Sequence, residues 1–361
     1  MPPRAVGALS RIVRRIREIG AKTFGLARLI RVLQIAFAQR GGIIGALPAV
    51  WRVLRRDGFV GLRHALRRIR IEEPPSYSLS VPFQYEIDTR NTSPCIAVLC
   101  HMFHDELAPQ FRRYFEKIPF PCSIFISTDT QVKQSRIRRD FTGWTKGEID
   151  VRLAPNRGRD IAPKLIAFAD VHARFRYVLH VHSKRSAHDP GLSRWCEFLL
   201  ENLLGSSETV SSIFEIFARF PNVGLVSSQH FEPLRHGISW GDNFALAETL
   251  AARMGIDIKL DQALDFPSGS MFWARSAALK PLLDLQLRVA EFPDELGQLD
   301  GTLAHAIERL YYFTCERAGF NWVKISHPNL FGIKSGIIPI TSPAVLDRYM
   351  RTRVLTLTAA E

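Results

Sequence analysis

The stretch Pro94–His101 (PCIAVLCH) decides the fold class. A strand with one face in water alternates apolar and polar side chains, whereas a continuously apolar run suits a strand buried on both faces. Two more runs of this kind follow, Cys122–Ser127 (CSIFIS) and Tyr177–His182 (YVLHVH), with a shorter strand at Ile149–Leu153. Single helix-period segments separate them at Asp105–Ile118, 131–142 and Ile161–Ala173. Strands alternating with single helices predict an α/β fold, an open and mostly parallel sheet flanked by helices. Downstream, the pattern predicts helices at Arg194–Leu204, Ser207–Arg219 and near Ala245–Met254, a strand at Val223–Ser228, a helix from Ser276, and a long amphipathic helix at Gly297–Tyr312.

The chain has 361 residues, room for two or three domains. A composition 46% hydrophobic and 23% charged excludes wholesale disorder, collagen-like repeats and coiled coil. Five cysteines, with no C-x-x-C pair, argue against a disulfide framework or zinc module and for a reducing compartment. No apolar run approaches the ~18 residues of a membrane-spanning helix. The N-terminal stretch is basic but lacks the compact apolar core of a secretory signal.

The charge is concentrated at one end. Residues 1–70 hold sixteen Lys and Arg against Glu18 and Asp57, a balance of +14, so the other 291 residues carry −1 of the net +13. Ile12, Ile16, Ile19, Phe24, Ile30, Leu33 and Phe37 recur at threes and fours between the arginines. Residues 1–72 therefore read as a basic amphipathic helical appendage, suited to an anionic membrane surface where each nearby cation contributes about 1 kcal/mol. The plainer reading docks the apolar stripe on the body and leaves the arginines solvated. A nucleic-acid partner is not expected, because no stacking platform or recognition motif accompanies the charge. Residues 73–93 read as a linker, 94–335 as the main domain and 336–361 as a tail. The location expected is cytoplasmic, peripheral on the inner face of the membrane.

In open α/β sheets ligands collect beyond the carboxyl ends of the strands, and the chemically distinctive residues fall there. Asp129 follows the second strand. The turn Pro155–Pro163 (PNRGRDIAP) joins a strand to a helix. Gly158 permits a tight backbone, the helix start offers free N–H groups, and Arg157 and Arg159 add charge, a combination suited to phosphate. Asp160 also reads as the helix N-cap. His180 and His182 share a face of their strand, with Lys184 and Arg185 leaving its end towards a diphosphate. An H-x-H pair binds metal only with further ligands, so a divalent metal is not expected and no cofactor is required. In Phe266–Arg275 (FPSGSMFWAR), Ser268, Gly269, Ser270 and Trp273 read as a pocket wall on which a sugar could stack, although a core uses the same residues. Asp294, Glu295 and Asp300 precede or open a helix, where one carboxylate in a cleft would make a general base. On one continuous helix Glu295 and Asp300 would face about 140° apart, which leaves a single base, and the small neighbours Gly297 and Gly301 favour Asp300.

The strings PNRGRDIAP, YVLHVHSKRSAHDPGLSRWCEFLLENLLGS, FPSGSMFWAR and GQLDGTLAHAIERL, in this order across residues 94–335, resemble the rhamnan synthesis protein F family. The motif order also resembles nucleotide-diphospho-sugar transferases of GT-A fold. The resemblance implies a glycosyltransferase of bacterial surface polysaccharide (lipopolysaccharide O-antigen) synthesis. The donor would be dTDP-L-rhamnose, the acceptor a polyprenyl-linked saccharide, and the transfer inverting. Asp129 would hold the nucleoside, Asn156-Arg157-Gly158 would form the N-x-G turn, Arg159 with Lys184 and Arg185 would hold the diphosphate, and Asp300 or Glu295 would take the acceptor's proton. The D-x-D metal motif of such enzymes is replaced here by His180-Val-His182-Ser-Lys184-Arg185, whose cations could stabilise a leaving diphosphate in place of a metal. The rival from another class is a non-catalytic, membrane-associated assembly factor with a degenerate transferase fold.

Overall fold

A nine-stranded sheet organises the chain, in the order β4-β3-β2-β5-β7-β6-β8-β1-β9. The strands are β1 (Ser78–Ser80), β2 (Ile96–His101), β3 (Cys122–Thr128), β4 (Ile149–Leu153), β5 (Tyr177–His182), β6 (Val223–Ser228), β7 (Phe272–Arg275), β8 (Asn321–Ser326) and β9 (Ile337–Ile338). The computed structural model describes residues 77–89, 93–183, 192, 194–295, 300–330, 336–352 and 357. Residues 74–232 with 240–361 form one compact unit, and 1–73 with 233–239 form another, of which 233–239 are described. The basic appendage, Lys184 and Arg185 thus lie outside the described residues. Among those described, no helix is long and apolar enough to cross a membrane.

Strands β2, β3, β5 and β6 form where the sequence predicted them and are almost entirely shielded from water, whereas β4, at the edge of the sheet, forms as predicted but is only partly buried. Every residue of β2, β5 and β6 is buried. All pairings are parallel except those of β7, which lies antiparallel between β5 and β6. The sheet is therefore mixed. Phe272–Arg275 was expected only to lead into a helix, since four residues are too few for a period to show. The sheet also runs past the boundaries drawn at 94 and 335. From the supposed linker, β1 pairs with β8 and β9, and the supposed tail supplies β9 and a helix tied down by Arg219 on Asp347 at 2.8 Å.

The helices that bear on the site are α1 (Ala108–Glu116), α2 (Gln131–Asp140), α3 (Ala169–Arg174), α4 (Trp195–Leu204), α5 (Ser207–Arg219), α6 (Phe244–Arg253), and, after the short α7 (Lys280–Leu283), α8 (Leu303–Arg317). Two of them depart from expectation. The helix predicted over Ile161–Ala173 is interrupted by a π-turn at Pro163–Ala167, a feature that recurs at functional sites. The helix predicted from Gly297 begins only at Leu303, because Gly301 takes φ +75° and Thr302 is an extended N-cap. Glu295 and Asp300 are thus not on a continuous helix, and the 140° argument between them falls away.

Candidate active site

The strand order reverses between β2 and β5. From β2 the chain steps outward through β3 to β4, then returns on the other side of β2 as β5. Such a switch point opens a crevice at the carboxyl ends of the two strands. The last rung there reads Ser127–His101–His182 across β3, β2 and β5. His101 Nδ1 lies 3.0 Å from Ser127 Oγ, and burial pushes its pKa down to about 4, so the ring is neutral at pH 7. His182 Nδ1 reaches Asp160 Oδ2 at 3.2 Å.

Asp160 is the hub of this end. Lys164 Nζ, one helical turn on and fully buried, donates to its Oδ2 at 2.7 Å. Burial raises the Asp160 carboxyl, but His182 and Lys164 outweigh it and hold the group well below the usual carboxylate range. Its Oδ2 is shared by Lys164 and His182. Lys164 also donates to the Ser270 carbonyl at 2.8 Å, which links the 155–160 turn to the 266–271 loop. The loop reaches this edge because β7 runs antiparallel: its start lies level with the ends of β5 and β6, with Phe272 opposite both His180 and Ser227.

Both turns are strained and each is clasped by a carboxylate. Gly158 and Arg159 have φ +69° and +54°, and the Arg159 N–H donates to Glu295 Oε1 at 2.8 Å. Gly269 and Ser270 have φ +88° and +54°, and the Gly269 N–H donates to Glu308 Oε1 at 2.7 Å. A non-glycine residue at positive φ costs of order 1–3 kcal/mol and persists only where its surroundings over-determine it. The far side of the loop is held by a buried chain: Lys324 on Asp265, Asp265 Oδ1 2.9 Å from His230 Nε2, and His230 Nδ1 2.9 Å from Ser268 Oγ.

Of the predicted site residues, Asp129 sits at the rim but pairs with Lys133 at 2.7 Å. Asn156 is exposed at the tip of its turn. Arg157 Nε donates to Asp294 Oδ1 at 2.7 Å, and Arg159 Nε lies 4.0 Å from Glu295 Oε2, so both arginines meet the acidic segment. His180 shares its face with His182 as expected but lies a rung deeper, enclosed by Phe272, His172 and Tyr311, and is fully buried. Ser268 and Ser270 are also buried, 6% and 2% exposed. Trp273 is a correction. It packs into the core against Phe214 at 5.2 Å, its Nε1–H donating to the Leu203 carbonyl, because alternation along β7 turns it away from the loop.

Asp300 stands across the edge, before α8. Its Oδ1 accepts from Asn243 Nδ2 at 2.7 Å and faces Arg309 at 3.6 Å; its Oδ2 accepts from the Asp242 N–H at 3.3 Å. Burial raises its carboxyl, but the Asn243 bond and Arg309 prevail and its pKa is lowered. Residues that sequence reasoning overlooked are Lys164, His230, Asp265, His305, Glu308 and Lys324. Lys164 alone had a visible signal, the i,i+4 spacing from Asp160. Among the described residues no group of three or more His, Cys, Asp and Glu is arranged to hold a metal ion.

A family model for rhamnan synthesis protein F matches residues 66–320, which contain both strained turns and the switch point. The chain belongs to the rhamnan synthesis protein F family. Within curated proteins, this family member is 35% and 34% identical over 240 residues to the uncharacterized protein WxcX of two strains of Xanthomonas campestris pv. campestris, B100 and ATCC 33913. Each match covers 65% of this chain and 33% of the relative, so this chain spans about a third of the length of the relatives it matches.

Proposed function

We propose that the protein is a glycosyltransferase of bacterial polysaccharide synthesis that moves a sugar from a nucleotide-diphospho-sugar donor to a lipid-linked saccharide. The observation that carries this reading is the switch point in the strand order with a strained, arginine-bearing turn beside it, in a chain of the rhamnan synthesis protein F family. The donor of the reading is dTDP-L-rhamnose and the transfer is inverting. Asp129 and Asn156 bind the nucleoside side; Arg157, Arg159, Lys184 and Arg185 bind the diphosphate. The loop at Ser268–Ser270 backs the sugar, and the rim around Glu295 and Asp300 receives the acceptor. Neutralising the charge that develops on the departing diphosphate is the main catalytic task, since fixed donors and cations in a water-poor site need no reorganisation. Residues 1–70, at +14, hold the protein to an anionic membrane surface where a lipid-linked acceptor resides.

The test is a panel of dTDP-, UDP- and GDP-sugars, read first by thermal shift. A donor at 100 times its dissociation constant adds ~2.7 kcal/mol to stability. Release of the nucleoside diphosphate is then followed with membrane-extracted polyprenyl-linked saccharide. Stabilisation by dTDP-L-rhamnose with turnover supports the reading. Binding without turnover leaves the assembly-factor alternative, and no stabilisation by any nucleotide sugar refutes both donor and reaction.

A further inference from the structure

His305 stands in the first turn of α8, 4.0 Å from Asp300, and its side chain is 12% exposed; Asp300 and Glu295 are the two carboxylates expected to act as base. Both carboxylates are already committed. Glu295 holds the Arg159 N–H, and Asp300 holds Asn243 and the Asp242 N–H. We propose that His305 is the group that takes the proton from the acceptor hydroxyl, with Asp300 as its positioning residue. The proposal rests on the transferase reading and names the base within it.

The proton of the neutral ring is assigned to Nδ1. His305 Nδ1 lies 2.9 Å from Thr302 Oγ1 and 4.0 Å from Asp300 Oδ1. Two oxygens, one of them anionic, face the same nitrogen and favour a proton on it. Nε2 then carries the lone pair. The ring's backbone carbonyl accepts from Arg309 Nη1 at 2.9 Å, and Arg309 also lies 3.6 Å from Asp300. The same cation therefore steadies the histidine's backbone and its orienting carboxylate.

The surroundings keep the ring neutral and available. Burial disfavours its protonated form; Arg159 and Arg309 repel a proton, while Asp300 and Asp160 attract one, and the balance pushes its pKa down to about 4. The N-terminal end of a helix is also a poor place for a cation. In the step, the acceptor O–H transfers its proton to Nε2 as the oxygen attacks the anomeric carbon. The bond from that carbon to the diphosphate oxygen breaks, and its electron pair leaves with the nucleoside diphosphate. The imidazolium, destabilised by its neighbours, returns the proton to solvent.

The experiment follows nucleoside diphosphate release by the full chain from pH 4 to 9, with dTDP-L-rhamnose and membrane-extracted acceptor, alongside donor affinity by calorimetry. His305→Gln is expected to lower transfer at least ~10²-fold, the lower end for losing a general base, with donor affinity within about threefold. Asp300→Asn is expected to retain more transfer than His305→Gln and to move the acid limb of the pH profile lower, because the carboxylate raises the ring's pKa. Transfer by His305→Gln within about threefold of wild type overturns the proposal. So does an Asp300→Asn variant as inactive as His305→Gln with no acid limb, which would make the carboxylate the base. Nitrogen NMR of the wild-type chain serves where a variant does not fold: the neutral Nδ1–H form of His305 at pH 6 supports the proposal, and the Nε2–H form or an imidazolium overturns it. A wild-type chain that transfers nothing fails the transferase reading itself, before any variant is compared.

Discussion

Lys164 Nζ lies 2.7 Å from Asp160 Oδ2, and the pair, one helical turn apart, is also the point at which two distant segments meet, since the same ammonium binds the Ser270 carbonyl at 2.8 Å. The turn at 155–160 and the loop at 266–271 are both strained, and both are held by carboxylates from a third region, Glu295 and Glu308. The edge of the sheet is thus pre-set by buried ionic bonds before any ligand arrives. Fixed geometry of this kind is what electrostatic catalysis needs.

Lys164→Met leaves Asp160 with one cationic neighbour fewer and the Ser270 carbonyl without its donor. Breaking a buried pair from one side costs about 3–5 kcal/mol. Urea unfolding should show a loss of that size, and adding Asp160→Asn should recover part of it. A single variant as stable as wild type would mean the pair does not hold the edge together.

Stability should fall as pH drops from 6.5 towards 4. His101, His172 and His305 are pushed by burial from 6.5 to about 4, so in that window the unfolded chain binds protons that the folded chain refuses. A shift of that size corresponds to about 3 kcal/mol for one fully buried ring. Below pH 4 a second loss begins. Asp160 and Asp265, whose folded pKa values are lowered, stay ionised while their unfolded counterparts protonate. Urea midpoints at half-unit pH steps should trace both phases, and His101→Gln should flatten the first. A flat midpoint between 6.5 and 4 would contradict the burial argument.

Gly269→Ala should destabilise more than Gly143→Ala, although both glycines sit at positive φ, +88° and +79°. A Cβ at 269 would meet Leu199 Cδ1 at 2.7 Å, whereas one at 143 meets nothing within 4 Å. The excess should be about 1–3 kcal/mol, the usual cost of overpacking, visible as a lower melting temperature. Equal losses would show that backbone strain alone matters there.

Donor binding should survive EDTA. The motive is the H-x-H-S-K-R sequence at 180–185, which holds two cations and no carboxylate. Lys184→Ala should weaken donor affinity and turnover together. Binding that EDTA abolishes and Mn²⁺ restores would make His182 and Asp160 ligand candidates instead.

The alternation of apolar runs and helical periods determined the α/β class, because two-faced burial writes itself into consecutive residues of one strand. It likewise marked the 155–163 turn, where glycine and proline are required by local backbone geometry. The antiparallel β7 was hidden, since four residues carry no period and their partners, β5 and β6, lie some 90 and 45 positions upstream. The same limit explains Trp273, whose role depends on which way a strand alternates, and the late start of α8 at Leu303. The clasp on the site was invisible for a related reason. Glu295 on Arg159, Lys164 on Ser270, His230 on Ser268 and Lys324 on Asp265 join residues that no local pattern connects. Only folding brings such groups together, and only burial makes their bonds strong enough to fix the edge of the sheet.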